Sequence, residues 1–268
     1  MNAAAHTWPD LDEAAEFLRL GTGRGVRVAV LDSGIDAAHP LIQGVPLADD
    51  LAVIDDDLQL KLVPGEQKDL FGHGTAIAAI IHQVAPEAEI GSFRVLGEQL
   101  RSRTAIIREG VRQALDRGYH ILNCSFGCGR EDQVLSYKDW IDEAYVKGRH
   151  VVAACNNFDF TKREWPGYFP TVITVNFTRA DRLEAFYYRP GTLVEFAARG
   201  QDIEVAWLGG GQKKVTGSSF AVPHVAGLLA RLISRCPTLS PPQAKALLRH
   251  LASPAVRNGG QNGDSLSL

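Results

Sequence analysis

The stretch Gly217-Ser218-Ser219-Phe220-Ala221-Val222-Pro223-His224-Val225-Ala226-Gly227 carries more information than any other part of this chain. A turn of small residues presents a serine, and a proline then opens an apolar run, Val225 to Ile233, at helical spacing. Proline fits the first turn of a helix, where its missing N–H costs nothing. Ser219 is thereby expected at or just before a helix N-terminus. There, unpaired N–H groups and the positive end of the helix dipole favour a developing negative charge. That position suits a nucleophile. It suits an ordinary serine cap equally well, so the stretch alone leaves both open.

Two upstream segments favour the nucleophile. Val26-Arg27-Val28-Ala29-Val30-Leu31 is an apolar, β-branched run of the kind that forms a strand buried on both faces. It ends in Asp32-Ser33-Gly34-Ile35-Asp36, which puts a carboxylate where open α/β sheets bind ligands. An aspartate that only shapes a turn is the plainer alternative. Phe71-Gly72-His73-Gly74-Thr75 then sets a histidine between two glycines at the start of an apolar helix, Ala76 to Ile81. The glycines imply a close approach to the backbone.

The blocks VAVLDSGID, GHGTAIAA and GSSFAVPHVAG, in that order, resemble the three signature blocks of the subtilisin-like serine proteases. The resemblance implies a three-layer α/β fold, a mostly parallel central sheet flanked by helices. It implies a triad of Asp32, His73 and Ser219 that hydrolyses peptide bonds through an acyl-enzyme. No cofactor and no metal is implied at the site. After the strand Val151 to Ala154 the family carries an asparagine that donates to the oxyanion. Alignment gives Asn156, with Cys155 where the family has glycine, and a shift of one residue gives Asn157. Ile121-Leu122-Asn123-Cys124 matches the family's strand beside the substrate. Ser125, Phe126 and Gly127 would form one wall of the pocket for the residue before the cut, with Ala154 on the other side. Glu164, just before Trp165-Pro166-Gly167, falls at the pocket floor and would favour Lys or Arg in the substrate. Its alternative is solvent, or a pair with Arg163 or Lys162. Arg101 and Arg103 lie in the matching second strand, where they would select acidic side chains further upstream or form a solvated rim.

The chain also departs from the family. Between His82-Gln83 and Val84-Ala85-Pro86 there is no room for the calcium loop of many secreted relatives, and no cluster with calcium-loop spacing replaces it. The acidic run Asp49, Asp50, Asp55, Asp56, Asp57 reads as a solvated face. Ala76 stands where the family often has a second histidine, and Phe220 where it commonly has methionine. Met1 to Pro9 lacks the basic-then-apolar pattern of a secretory signal. The expectation is a cytoplasmic protein without a propeptide.

Length and composition agree. The 268 residues, 45% hydrophobic with 26 glycines, suit one α/β domain. The expected division is a helical extension over 1–24, a peptidase domain over 25–252 and a disordered tail over 253–268. Lys and Arg total 28 against 31 Asp and Glu, a net charge of −3, which gives no basic patch for nucleic acid. No apolar run is long enough to span a bilayer. Cys124, Cys128, Cys155 and Cys236 read as reduced thiols. Strands are expected near 26–31, 51–54, 90–95, 119–124, 150–154 and 172–176. Helices are expected near 73–83, 103–117 and 134–147, after Pro223, and over 241–251, and the stretch 183–216 reads as β-rich.

The partner is then a peptide or protein substrate, in limited processing more than bulk digestion; the oligomeric state stays open. Transpeptidation or macrocyclisation of a peptide precursor is a rival outcome of the same acyl-enzyme. A catalytically silent binding module of the same fold is a rival of another class, opposed by competent residue types at every catalytic position. A phosphatase would want a second acid where Gly34 stands.

Overall fold

In the computed structural model, which describes residues 9–57 and 59–254, the apolar run before Asp32 forms a strand buried from Val28 to Asp32. Chain order runs α1 (Leu11–Leu20), β1 (Arg27–Asp32), β2 (Leu47–Asp56), β3 (Gln59–Pro64), α2 (His73–Val84) and β4 (Glu89–Arg94). Next come α3 (Thr104–Asp116), β5 (Ile121–Cys124), α4 (Val134–Val146), β6 (His150–Ala154), β7 (Ile173–Thr178) and β8 (Phe186–Tyr188). The last six are β9 (Phe196–Arg199), β10 (Ile203–Trp207), β11 (Gly211–Val215), α5 (Ser218–Arg235), α6 (Pro241–Leu251) and β12 (Ser253–Pro254).

Ten strands form one sheet in the order β12-β8-β9-β7-β6-β5-β1-β4-β2-β3. From β2 through β9 every neighbouring pair is parallel, and only β3 and β8 run antiparallel to their neighbours β2 and β9. Crossover helices cover both faces. α2, α5, α1 and α6 share one core with Val28, Val30 and Val152. α3 and α4 share another with Ala29, Leu31 and Leu122. The expected three-layer α/β architecture is therefore present. β1 has β4 and β2 on one side and β5 and β6 on the other, so the direction of chain growth reverses around it. Clefts in open parallel sheets form at the C-terminal strand ends beside such a reversal, and Asp32 is the last residue of β1.

Four expectations need correction. α5 begins at Ser218, so Pro223 lies inside the helix and not at its opening. β2 is longer than expected and folds back as a hairpin with β3. The acidic run is not merely solvated: Asp49 accepts from Arg27 and Tyr119, each at 2.7 Å, Asp55 pairs with Arg103, and Asp56 pairs with Lys61. At the C-terminus Ser253 and Pro254 pair with Tyr187 and Tyr188, so the expected tail starts too early; residues 255–268 of it lie outside the described residues.

The expected N-terminal extension is packed into the domain. Ala14 of α1 is wholly buried, and the backbone of Gly21 abuts the carbonyl of Arg231 in α5 so closely that a side chain would not fit. On α6, the buried Lys245 ammonium donates to the carbonyls of Pro170 and Val172, each at 2.7 Å, and lies 2.6 Å from Glu195. Burial pushes Lys245 below the ordinary lysine range, and the hydrogen bond and charge of Glu195 oppose that push. The network fixes the backbone that follows the turn Glu164–Tyr168.

Candidate active site

α2 opens on His73 directly against the end of β1. Gly72 has φ 96°, a left-handed conformation that favours glycine. A methyl group on Gly74 would collide with the carbonyl oxygen of Gly34. At Gly74 the backbone is approached by the protein's own loop after β1, which brings imidazole to carboxylate, and at Gly72 by Trp207 and Leu208. His73 Nδ1 lies 2.9 Å from both oxygens of Asp32, which is fully buried. With Nδ1–H donating to Asp32, Nε2 is left as the basic nitrogen. Burial pushes His73 down, but the charge and hydrogen bond of Asp32 and the charge of Asp69 push harder, and the net shift is upward. A general base must be neutral to accept a proton. The rate constant kcat/KM is therefore expected to fall as pH drops through a midpoint above the ordinary histidine value of about 6.5. A pH profile with a peptide substrate checks this; a midpoint below that value contradicts it.

The first turn of α5 presents Ser219. Gly217 is its N-cap, so the Ser219 N–H is among the helix's unpaired N-terminal donors. Pro223, four residues on, has no N–H to give the Ser219 carbonyl. Ser125 Oγ supplies the missing bond at 2.8 Å and itself accepts from Asn123 Nδ2 at 2.9 Å. Ser125 thus anchors the first turn of α5. The ring of Phe220 lies 5.0 Å from that of His73, which joins the first turns of α5 and α2. Among the described residues neither Ser219 Oγ nor His73 Nε2 has a hydrogen-bond partner, so the two are not hydrogen-bonded to each other here.

The two asparagines make different contacts. Asn156 Nδ2 donates to Glu164 Oε1 at 2.7 Å, and its carbonyl caps the amides of Phe158 and Asp159. One N–H of its amide is therefore held by the pocket carboxylate. Asn157 Oδ1 accepts from the N–H of Ser218 at 2.7 Å and lies 2.8 Å from its Oγ. A methyl group on Gly217 would meet Asn157 Nδ2 at 3.4 Å and Ser219 Oγ at 3.5 Å. Ser218 Oγ donates to the Cys155 carbonyl at 2.7 Å, which ties this loop to the first turn of α5.

Gly127 and Glu164 face each other. A methyl group on Gly127 would sit 2.7 Å from Glu164 Oε2, so glycine there leaves room for the carboxylate. The backbones of Cys128 and Trp165 pair across the two walls at 2.9 Å. Ala154 lies behind, its carbonyl against Gly167. Neither Arg163 nor Lys162 reaches Glu164, and no cation of the described residues lies within 4.0 Å of it. Beyond Phe126 and Gly127 opens a cavity of about 590 Å³ with Leu96, Ile107 and Tyr137 in its lining and Arg101, Arg103 and Arg130 among its polar groups. Arg103 is paired with Asp55 and Arg130 with Asp132, while Arg101 has no carboxylate partner among the described residues.

A buried carboxylate and an imidazole thus pair at the C-terminal edge of a parallel sheet, with Phe220 of the first turn of α5 against the imidazole, and the subtilase family model matches residues 23–267. The chain belongs to the subtilase family. Subtilisin BL of Lederbergia lenta is 30% identical over 256 residues, covering 90% of this chain and 87% of that protein. An intracellular serine protease of Paenibacillus polymyxa is 33% identical over 222 residues, 78% of this chain and 66% of the relative. Among solved structures, a cold-adapted subtilisin-like serine proteinase superposes with a TM-score of 0.71 at 26% identity, covering 86% of this chain and 83% of that one. This subtilase is a serine peptidase, a hydrolase acting on peptide or protein substrates.

Sequence reasoning overlooked Asp69 and Ser33. Asp69 accepts from Ser33 Oγ and from the amides of Phe71, Gly72 and Thr75. An acid four residues before His73, at the mouth of a helix, was the available signal.

Proposed function

We propose that this subtilase is an endopeptidase that cuts after lysine or arginine, in limited processing of a peptide or protein partner. The observation that carries the reading is Glu164. Its carboxylate stands between Gly127 and Asn156, bonded to the Asn156 amide and without a cation. A charged group in a partly desolvated pocket favours an opposite charge on the ligand, and a charge-assisted hydrogen bond is worth about 1.5–3 kcal/mol.

In the mechanism proposed, Ser219 Oγ attacks the carbonyl carbon after the basic side chain. His73 Nε2 takes the hydroxyl proton, and Asp32 holds the imidazole in the tautomer that allows this. The Ser219 N–H and the Asn157 amide stabilise the oxyanion. Collapse breaks the C–N bond, and His73 returns the proton to the leaving amine. Water, deprotonated by the same nitrogen, then releases the acyl group and restores Ser219. A reducing, cytoplasmic setting is part of this reading; it is supported by four unpaired cysteines and by an intracellular protease among the relatives.

Cleavage sites mapped by mass spectrometry after incubation with a diverse peptide pool test the specificity. Lys or Arg is expected before the cut. Glu164→Gln is expected to lower kcat/KM for those peptides by about 10- to 100-fold, the range that bond energy implies. An aromatic preference that Glu164→Gln leaves alone would overturn the assignment.

A further inference from the structure

We propose that Asp69 is a positioning residue for His73, holding the base in place through Ser33 and the first turn of α2 and adding a second negative charge behind it. The inference rests on the reading of His73 as the general base. Asp69 lies outside α2 and touches neither the imidazole nor any group that would meet substrate.

Its two oxygens accept five hydrogen bonds. Oδ1 takes Ser33 Oγ at 2.7 Å, Phe71 N–H at 2.9 Å and Gly72 N–H at 2.7 Å. Oδ2 takes Thr75 N–H at 2.8 Å and Thr75 Oγ1 at 2.7 Å. Gly72, at the N-cap of α2, has no side chain with which to satisfy the first turn. Asp69 supplies that cap from outside, and its charge suits the positive end of the helix dipole. The bonds to Gly72 and Thr75 bracket His73 on both sides and fix where its Cα lies.

Ser33 links this carboxylate to the catalytic one. Its hydroxyl proton goes to Asp69, the shorter contact, while its Oγ accepts from Gly74 N–H at 3.1 Å and its own N–H donates to Asp32 Oδ1 at 2.8 Å. One serine therefore holds Asp32, the α2 backbone and Asp69 in fixed relation. The groups around His73 leave Asp69 little competition. β1 supplies Asp32, β5 the buried thiol Cys124, whose pKa burial holds up, and the end of β4 Arg94, whose side chain approaches Gly34. Trp207 and Leu208, at the end of β10, press on Gly72 without charge. Two nearby anions favour imidazolium, and removing either should make His73 more acidic.

The test uses Asp69→Asn, isosteric and uncharged. His73 is titrated by NMR in the Ser219→Ala background, which prevents autolysis, and kcat and KM are measured with Ser219 intact. The expected result is a downward move of the His73 midpoint and a loss of kcat of about 10- to 100-fold with KM little changed, the scale of a slightly misplaced catalytic group. Ser33→Ala keeps the charge and removes the link, so it should lower kcat without that move. A folded Asp69→Asn protein whose His73 midpoint and kcat match the parent overturns the proposal. So does one that loses stability and kcat while the midpoint stays. If Asp69→Asn does not fold, Ser33→Ala decides: full kcat overturns the proposal. Asp32→Asn separates the two readings. If it leaves activity intact, the assignment of His73 as base fails, not the role of Asp69.

Discussion

Ser219→Ala is expected to lower kcat on a peptide substrate by about 10⁶-fold, the scale seen when one member of such a triad is removed. The fold should survive. Ser219 Oγ makes no hydrogen bond among the described residues, and the helix is held there by other atoms: the Ser219 carbonyl by Ser125, and Ser218 by Asn157 and Cys155. A second loss should not add. With His73→Ala placed on top of Ser219→Ala, the remaining rate should hardly change, because base and nucleophile act as one unit. Steady-state kinetics on the purified variants check this, and activity within about 100-fold of the parent would be too high for the proposed mechanism to stand.

Asn157→Ala is expected to cost about 10²- to 10³-fold in kcat with little change in KM, the loss typical of removing one oxyanion donor. Asn156→Ala should behave differently. Its amide holds Glu164, so its removal should act on kcat/KM for basic peptides, and weakly on kcat for a peptide that does not use the pocket charge. The contrast follows from a single backbone offset. The offset rests on two bonds of Ser218, its N–H to Asn157 Oδ1 and its hydroxyl to the Cys155 carbonyl. If Asn156→Ala proves the larger loss in kcat, the alignment was right and the geometric reading is wrong.

Much of this site was legible in the chain because it depends on local chemistry. Strand β1 announces itself as a β-branched run, Asp32 ends it, and glycines flank His73 where Gly34 must come close. Those features follow from sterics that act over a few residues. What stayed hidden depends on contacts between distant segments. No local signal tells which of Asn156 and Asn157 contacts α5, since that contact is made with the distant Ser218. The start of α5 was misplaced for a similar reason. Pro223 ordinarily marks a first turn, but here Ser125 takes over the carbonyl that proline leaves unpaired, and the helix extends back to Ser218. Asp55 reads as a solvated acid and Arg103 as either a substrate-facing base or part of a solvated rim, yet they pair with each other. The division of the chain was drawn by composition, whereas α1 is joined to α5 by the packing of Ala14 and Gly21.

The most direct measurement is to treat the active protein with a fluorophosphonate probe and locate the adduct by tandem mass spectrometry. A single adduct on Ser219 Oγ is predicted, absent from Ser219→Ala and strongly slowed in Asp32→Asn. An adduct on Ser218 or Ser125 instead, or labelling that persists in Ser219→Ala, would contradict the account.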